Sequence, residues 1–509
     1  MIRSFASVSG FTLLSRITGF ARDVTLASIL GSGLIADAYF VAQRLPNHFR
    51  AIFGEGAFNS AFVPAYTREL ESHGEAAARA LASTILTGLT FILLILTALA
   101  MWQMNFVIDL LAPGFSDEPE KYALAITLTR ITFPYLLLIS VVTLISGTLN
   151  AHQKFAGAAA APVLLNLAII AALALSLLFP SAAHAAAWGI AISGVLQLAL
   201  VAINAKRANC LPRFTRPRPS PALKRFLRAL GPAVIGSAGV QIAIFADTII
   251  ASLLPTGAVS AISYADRLYQ LPVGLIGIAA GTVLLPEMSR HLGRDDPSKA
   301  YAAQNHTMAL TLLLTMPFFV AFLMIPEEII RGVFMHGRFT AEDATASALV
   351  LAAYGIGILP VVLIRSLVAS FHARQDTMTP LIAAFIGIIV NVILKLALYH
   401  SWGASGLAFA TAIGAWINGG LLALLAYGKS WFAPDRTLVR LMISISLAAA
   451  ALAFATPSLK NMSLMITASL PMNAVFTLIT LALAGGVLYS IVVVIASRLL
   501  SVPLPLRMR

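Results

Sequence analysis

Charge is what this sequence has least of. Only 11% of its 509 residues are Asp, Glu, Lys or Arg, where a soluble globular domain carries about a quarter. A chain so sparsely charged, and 59% hydrophobic, is excluded as a water-soluble protein of this length. Disorder is excluded more firmly, because it needs low hydrophobicity and high charge. Acidic residues are scarcer than basic ones, 21 against 34, for a net charge of +13. That excess does not read as a nucleic-acid surface, since the basic residues punctuate hydrophobic runs instead of clustering on one soluble face. Cysteine is nearly absent: Cys210 stands alone, which excludes an intramolecular disulfide framework and a cysteine metal cluster. No Walker motif, zinc signature or nucleophile elbow is present, and His336 and His372 have no metal-ligand spacing.

What the sequence does have is long apolar runs. A helical bilayer crossing takes about 20 mostly apolar residues, and fourteen candidate segments lie near 5–30, 33–65, 79–110, 122–150, 158–180, 184–204, 226–254, 258–288, 302–325, 344–371, 379–399, 403–428, 437–456 and 472–498. The expected fold is an all-α polytopic membrane protein with 14 transmembrane helices and no room for a sizeable soluble domain. The first run is not read as a cleaved signal peptide, because Arg16 and Arg22 break its apolar stretch and it continues well past signal-peptide length. With the N-terminus placed in the cytoplasm, about twenty basic loop residues fall inside and only Lys121, Arg331, Arg338 and Lys460 outside, which predicts cytoplasmic N- and C-termini.

The longest basic, proline-bearing stretch, KRANCLPRFTRPRPSPALKRFLR at 206–228, falls between the sixth and seventh segments. Across it the sequence repeats: ARDVTLASIL (21–30) resembles FADTIIASLL (245–254), aligning Asp23 with Asp247. Arg44-Leu45-Pro46 is likewise echoed by Asp266-Arg267 and Leu271-Pro272. Six crossings per copy is an even number, so the copies share orientation about an axis along the membrane normal. The expected organisation is an N-lobe at 1–205, a basic cytoplasmic linker at 206–225, a C-lobe at 226–428, and two extra helices with a tail at 429–509.

Charges inside these segments carry the functional signal. Arg16, Arg22, Arg44, Arg50, Arg130, Arg267, Arg365 and Lys395 lie in or at the ends of apparent spans, with Asp23, Asp37, Glu55, Asp109, Asp247, Asp266 and Glu287. Each mid-membrane Arg facing lipid costs about 2.5–3.5 kcal/mol, so these groups must face protein or water. On the first helix Thr12, Ser15, Arg16, Gly19, Arg22 and Asp23 share one side and Phe11, Leu13, Leu14, Ile17 and Phe20 the other, with Gly10 and Gly19 as places to bend. The second is expected to be interrupted at Pro46 and at Gly54-Glu55-Gly56. Arg16, Arg22, Arg50 and Arg267 either pair with carboxylates such as Asp23, Asp37, Glu55 or Asp266, or offer their guanidinium forks to an anionic substrate. Their clustering in corresponding spans favours the substrate. Arg44 stands between the two readings; Arg130, Arg365 and Lys395 read as snorkelling or locally paired, and Asp247 as a hydrogen-bonded structural group.

SRITGFARD (15–23), DAYFVAQRLPNHFRAIFGEGAFNSAFVP (37–64) and YADRLYQLPVGLIGIAAGTVLLP (264–286) resemble the MurJ (MviN) lipid II flippases, of the superfamily that also contains MATE exporters and O-antigen flippases. The resemblance covers nearly the whole chain. It implies two six-helix lobes around a cationic cavity, two C-terminal helices forming a lipid groove, and location in the bacterial inner membrane. It also implies alternating-access transport of lipid II, an anionic polyprenyl pyrophosphate glycolipid, to the periplasmic leaflet. Membrane lipids are then surroundings and partners, and the peptidoglycan synthesis machinery is a candidate protein partner. The implied binding residues are Arg16, Arg22, Arg50 and Arg267 with the acidic Asp37, Glu55 and Asp266, and Ser15 and Arg44 join them from their positions. Some members carry a second arginine after the one matching Arg50; here Ala51 follows. No cofactor or metal is expected, the membrane potential is a candidate driving force, and no match for a coupling-ion site is seen. The rival readings are an O-antigen-type flippase, a MATE-like exporter, whose cavity should be acidic, and a membrane-embedded glycosyltransferase or polymerase. The last needs an acidic centre and larger outside loops than SDEPEK (116–121). A scramblase or scaffold role stays open at this point.

Overall fold

The computed structural model describes residues 2–50 and 57–505, without the side chains of 2–7, 45, 48–50, 57, 235–240, 242, 278 and 279. No strand occurs among the described residues. The chain divides into two compact units, Met1–Ser260 and Ala261–Arg509.

The first unit holds α1 (Ile2–Leu30), α2 (Leu34–Arg50), α3 (Ala57–Trp102), α4 (Met104–Leu111), α5 (Pro119–Thr132), α6 (Tyr135–Ala151), α7 (Ala156–Ala174), α8 (Ala182–Arg207), α9 (Pro221–Ser252) and the first turn of α10 (Ala258–Pro272). Within it α1 packs on α7, α7 on α8, α2 on α5, and α3 on both α6 and α9. The second unit holds the rest of α10, a π-helical turn (Val273–Gly277), α11 (Ile278–Leu292), α12 (Pro297–Met324), α13 (Pro326–Phe334), α14 (Ala341–Ile356), α15 (Ile358–His372), α16 (Met378–Gly428), α17 (Arg436–Thr467) and α18 (Asn473–Leu499). There α12 packs on α11, α14, α15 and α17, and α17 pairs with α18.

Helix starts fall where a side chain can satisfy the open N–H groups of a first turn. Ser181, Ser220, Asp296, Thr340 and Asp435 each accept from the N–H three residues on, and Thr340 and Asp343 do so reciprocally. In the loop before α16, Lys429 Nζ lies 2.8 Å from Asp376 Oδ2 and Thr379 donates its N–H and hydroxyl; these bonds hold the Asp376 carboxyl well below the usual carboxylate range.

Ten helical stretches among the described residues are long and apolar enough to cross a bilayer. They turn apolar side chains outward: on α3, Phe91, Ile92, Leu94, Ile95 and Leu99 are exposed. Two of the longest helices are broken at a single glycine, α3 at Gly74 (φ 79°) and α16 at Gly403 (φ 55°), in the left-handed region where a β-carbon crowds the following carbonyl. After Gly403 the second half of α16 folds back on the first. A β-carbon added to Gly387 would lie 2.8 Å from the Gly414 carbonyl oxygen, and one added to Gly414 would lie 2.8 Å from Asn391 Cβ. Small residues let the two backbones touch.

The interruption expected at Pro46 is absent. The α1 helix runs unbroken through Gly10 and Gly19, and α2 continues through Pro46 to Arg50. The Gly54-Glu55-Gly56 triplet lies outside the described residues.

Candidate substrate site

The polar side of α1 meets α7 through Ser15, Thr18, Gly19 and Arg22. Arg22 is only 7% exposed. Its Nε and Nη2 donate to Asp23 Oδ1 at 3.0 and 2.7 Å, and its Nη1 donates to Asn166 Oδ1 on α7 at 2.9 Å. The amide of Asn166 is used at both ends, since its Nδ2 donates to the Ser15 carbonyl at 3.0 Å and to Thr18 Oγ1 at 3.1 Å. Gly19 makes the close approach feasible: a β-carbon there would lie 3.3 Å from Asn166 Nδ2. Gly19 is therefore a packing position. The opposite side of α1 exposes Leu13, Leu14 and Ile17, as its sequence pattern requires.

Of the two readings of Arg22, this arrangement is the carboxylate-paired one. A buried cation beside a carboxylate and an amide oxygen is neutralised and hydrogen-bonded where it stands. Ser15 is half-buried and holds Asn166 through its carbonyl. Arg16 differs from both, being exposed on the same helix. Asn166 was missed in the sequence, although its signal is visible: it is a lone amide in AGAAAAPVLLNLAIIAALA, where an unsatisfied polar group would be costly.

Asp37 is likewise engaged within the protein. It is 1% exposed, and its carboxylate accepts the Gly257 N–H at 2.7 Å, the Ser260 N–H at 2.8 Å and the Ser260 hydroxyl at 2.7 Å. These groups belong to the first turn of α10, where a negative charge is favoured by the open N–H groups and the helix dipole. Asp37 thus acts as a cap reaching over from α2, with its oxygens committed to that task. Asp37→Ala should lower thermal stability by about 1–3 kcal/mol, the cost of leaving such donors buried and unsatisfied, while Asp37→Asn keeps one acceptor and should lose less. Equal melting of wild type and Asp37→Ala in detergent would refute the capping role.

Of the other candidates, Arg44 extends from α2 to within 3.5 Å of Thr248 Oγ1 on α9. Asp266 and Arg267 are half-buried neighbours on α10, and Asp266 accepts from Gln270 Nε2 at 3.3 Å. The side chain of Arg50 and all of Glu55 lie outside the described residues. Asp247 is half-buried near the end of α9, Arg130 and Arg365 are exposed, and Lys395 is buried in α16, so it does not snorkel. Among the described residues no group of three His, Cys, Asp or Glu side chains could hold a metal ion.

The sequence model of the family described as Lipid II flippase MurJ matches residues 26–476. The chain belongs to the MurJ lipid II flippase family. Among its relatives, the probable lipid II flippase MurJ of Rhizobium meliloti (strain 1021) is 41% identical over 461 residues, 89% of this chain and 86% of the relative. Among solved structures, lipid II flippase MurJ in an inward closed conformation aligns with a TM-score of 0.82 at 28% identity, covering 97% of this chain and 99% of that one. An inward-facing multidrug resistance MATE family transporter of the MOP superfamily aligns with a TM-score of 0.68 over 83% of this chain and 97% of its own. At 16% identity that likeness shows a shared fold alone. Membership in MurJ makes this a transporter, not a membrane-embedded glycosyltransferase or polymerase, and sets it apart from its MATE-like neighbours.

Proposed function

We propose that this chain moves lipid II from the cytoplasmic to the periplasmic leaflet of the bacterial inner membrane, supplying peptidoglycan synthesis. The observation that carries the reading is the family match extending from residue 26 to residue 476. The working topology has fourteen crossings, with α16 counted as two. It places both termini in the cytoplasm, in line with the distribution of Lys and Arg, and groups the first twelve crossings into two repeated six-helix lobes followed by α17 and α18.

In this reading guanidinium groups bind the pyrophosphate, and the sequence offers Arg16, Arg44, Arg50 and Arg267 for that role. Arginine suits the task because it stays charged, is weakly hydrated and binds phosphate oxygens in pairs. Arg22 serves by bracing α1 against α7. Alternating access carries the head group across, and the membrane potential assists, at about 2.3 kcal/mol per charge per 100 mV, by driving an anion outward and an empty cationic site back.

The test is depletion of this protein in its host, followed by labelling of lipid II exposed on the outer leaflet. Exposure should collapse while total lipid II accumulates. Undiminished exposure would end the proposal.

A further inference from the structure

The basic linker has a structural feature outside the candidate substrate site. Between α8 and α9 the chain runs as an extended strap laid along α3. Arg79 on α3 donates to the Asn209 carbonyl, the Arg213 N–H donates to Ser83 Oγ at 3.0 Å, and the Thr215 N–H donates to Thr87 Oγ1 at 3.1 Å. The three α3 positions are spaced four residues apart, about one helical turn each, so the strap climbs α3 in step with it. The last tie, at Thr87, is one turn short of Phe91, where α3 begins to expose large apolar side chains. The last tie therefore lies one turn before the apolar outer face of a membrane-crossing helix.

Its side chains match that position. From Lys206 to Arg228 there are eight basic residues and no acidic one. Arg225 is paired with Glu69 at 2.7 Å. Arg213, Arg216 and Arg218 are exposed, and among the described residues none of the three side chains is in an ion pair. Phe214 sits between the two backbone ties and is 68% exposed. On either side of the strap Lys206, Arg207, Lys224 and Arg228 are exposed as well.

We propose that the strap, through Arg213, Phe214, Arg216 and Arg218, is a docking surface for anionic phospholipid headgroups, gathering them beside α3. Guanidinium groups at the height of the headgroups attract anionic lipid, and a neighbouring aromatic ring inserts at the same level. Backbone ties to Ser83 and Thr87 fix the strap there, so little ordering is left to be done on binding. The inference is independent of which substrate the protein moves.

The experiment uses the full-length protein in phosphatidylcholine nanodiscs containing a trace of spin-labelled phosphatidylglycerol or spin-labelled phosphatidylcholine. The motionally restricted fraction of each probe is read by electron paramagnetic resonance. Wild type should restrict the phosphatidylglycerol probe in excess of the phosphatidylcholine one. In R213Q/R216Q/R218Q that preference should fall at least tenfold, since each surface Lys or Arg is worth about a fivefold preference. It should also fall in about 0.5 M salt. Phe214→Ser should reduce it less, and R290Q/R294Q, at the C-terminal end of α11, should leave it intact.

Equal preference in wild type and the triple variant would overturn the proposal, as would an equal loss in R290Q/R294Q. Absence of any preference in wild type would overturn it too, leaving the strap as a surface for an acidic protein. Inorganic phosphate at matched ionic strength should displace no more lipid than chloride does. Stronger displacement by phosphate would make the strap a free-anion site and refute a lipid one.

Discussion

Arg22→Ala is expected to cost about 3–5 kcal/mol of stability, because it takes from the buried Asp23 carboxylate the guanidinium 2.7 Å away. Asn166 would lose the donor to its Oδ1 in the same step. The variant should accumulate poorly and melt early in detergent, so its loss of transport would be a folding effect. The decisive comparison is R22A/D23A, which removes both charges and should recover much of the lost stability. A buried pair breaks even against neutral replacement far more readily than against removal of one partner. If Arg22→Ala melts with wild type yet fails to transport, the Arg22–Asn166 bond is not what holds α1 to α7 and Arg22 returns to the substrate.

Arg16→Ala and Arg267→Ala should behave in the opposite way. Arg16 is exposed and Arg267 half-buried, so neither substitution empties a packed site, and both proteins should insert and accumulate normally. Transport should fall by ten- to a hundredfold or more in each, from the loss of charge-assisted bonds worth about 1.5–3 kcal/mol apiece. Complementation of a depleted strain together with outer-leaflet lipid II labelling gives the measurement. Normal flipping by both variants at matched protein levels would exclude the pyrophosphate role of these arginines.

The contrast between Arg16 and Arg22 also shows where sequence reading stops. Helices of apolar residues were legible because lipid imposes length and hydrophobicity residue by residue. The two-sided character of α1 was legible too, since Leu13, Leu14 and Ile17 do face outward. What faced the polar side was not. Arg16 and Arg22 look alike in the sequence, and what separates them is Asn166, 144 residues beyond Arg22. Asp37 is similar: its carboxylate signalled function until the chain brought Gly257 and Ser260 over it. Gly19 was taken for a bend because glycine serves both flexible and closely packed positions, and only the amide lying against it distinguishes the two.

The α16 hairpin has a consequence for how the chain enters the membrane. Its two halves meet at the Gly387–Gly414 contact and are joined at Gly403 with no intervening loop. A reporter domain or cleavage site spliced in at Gly403 would pry apart two halves that no loop separates, and so would test biogenesis, not topology.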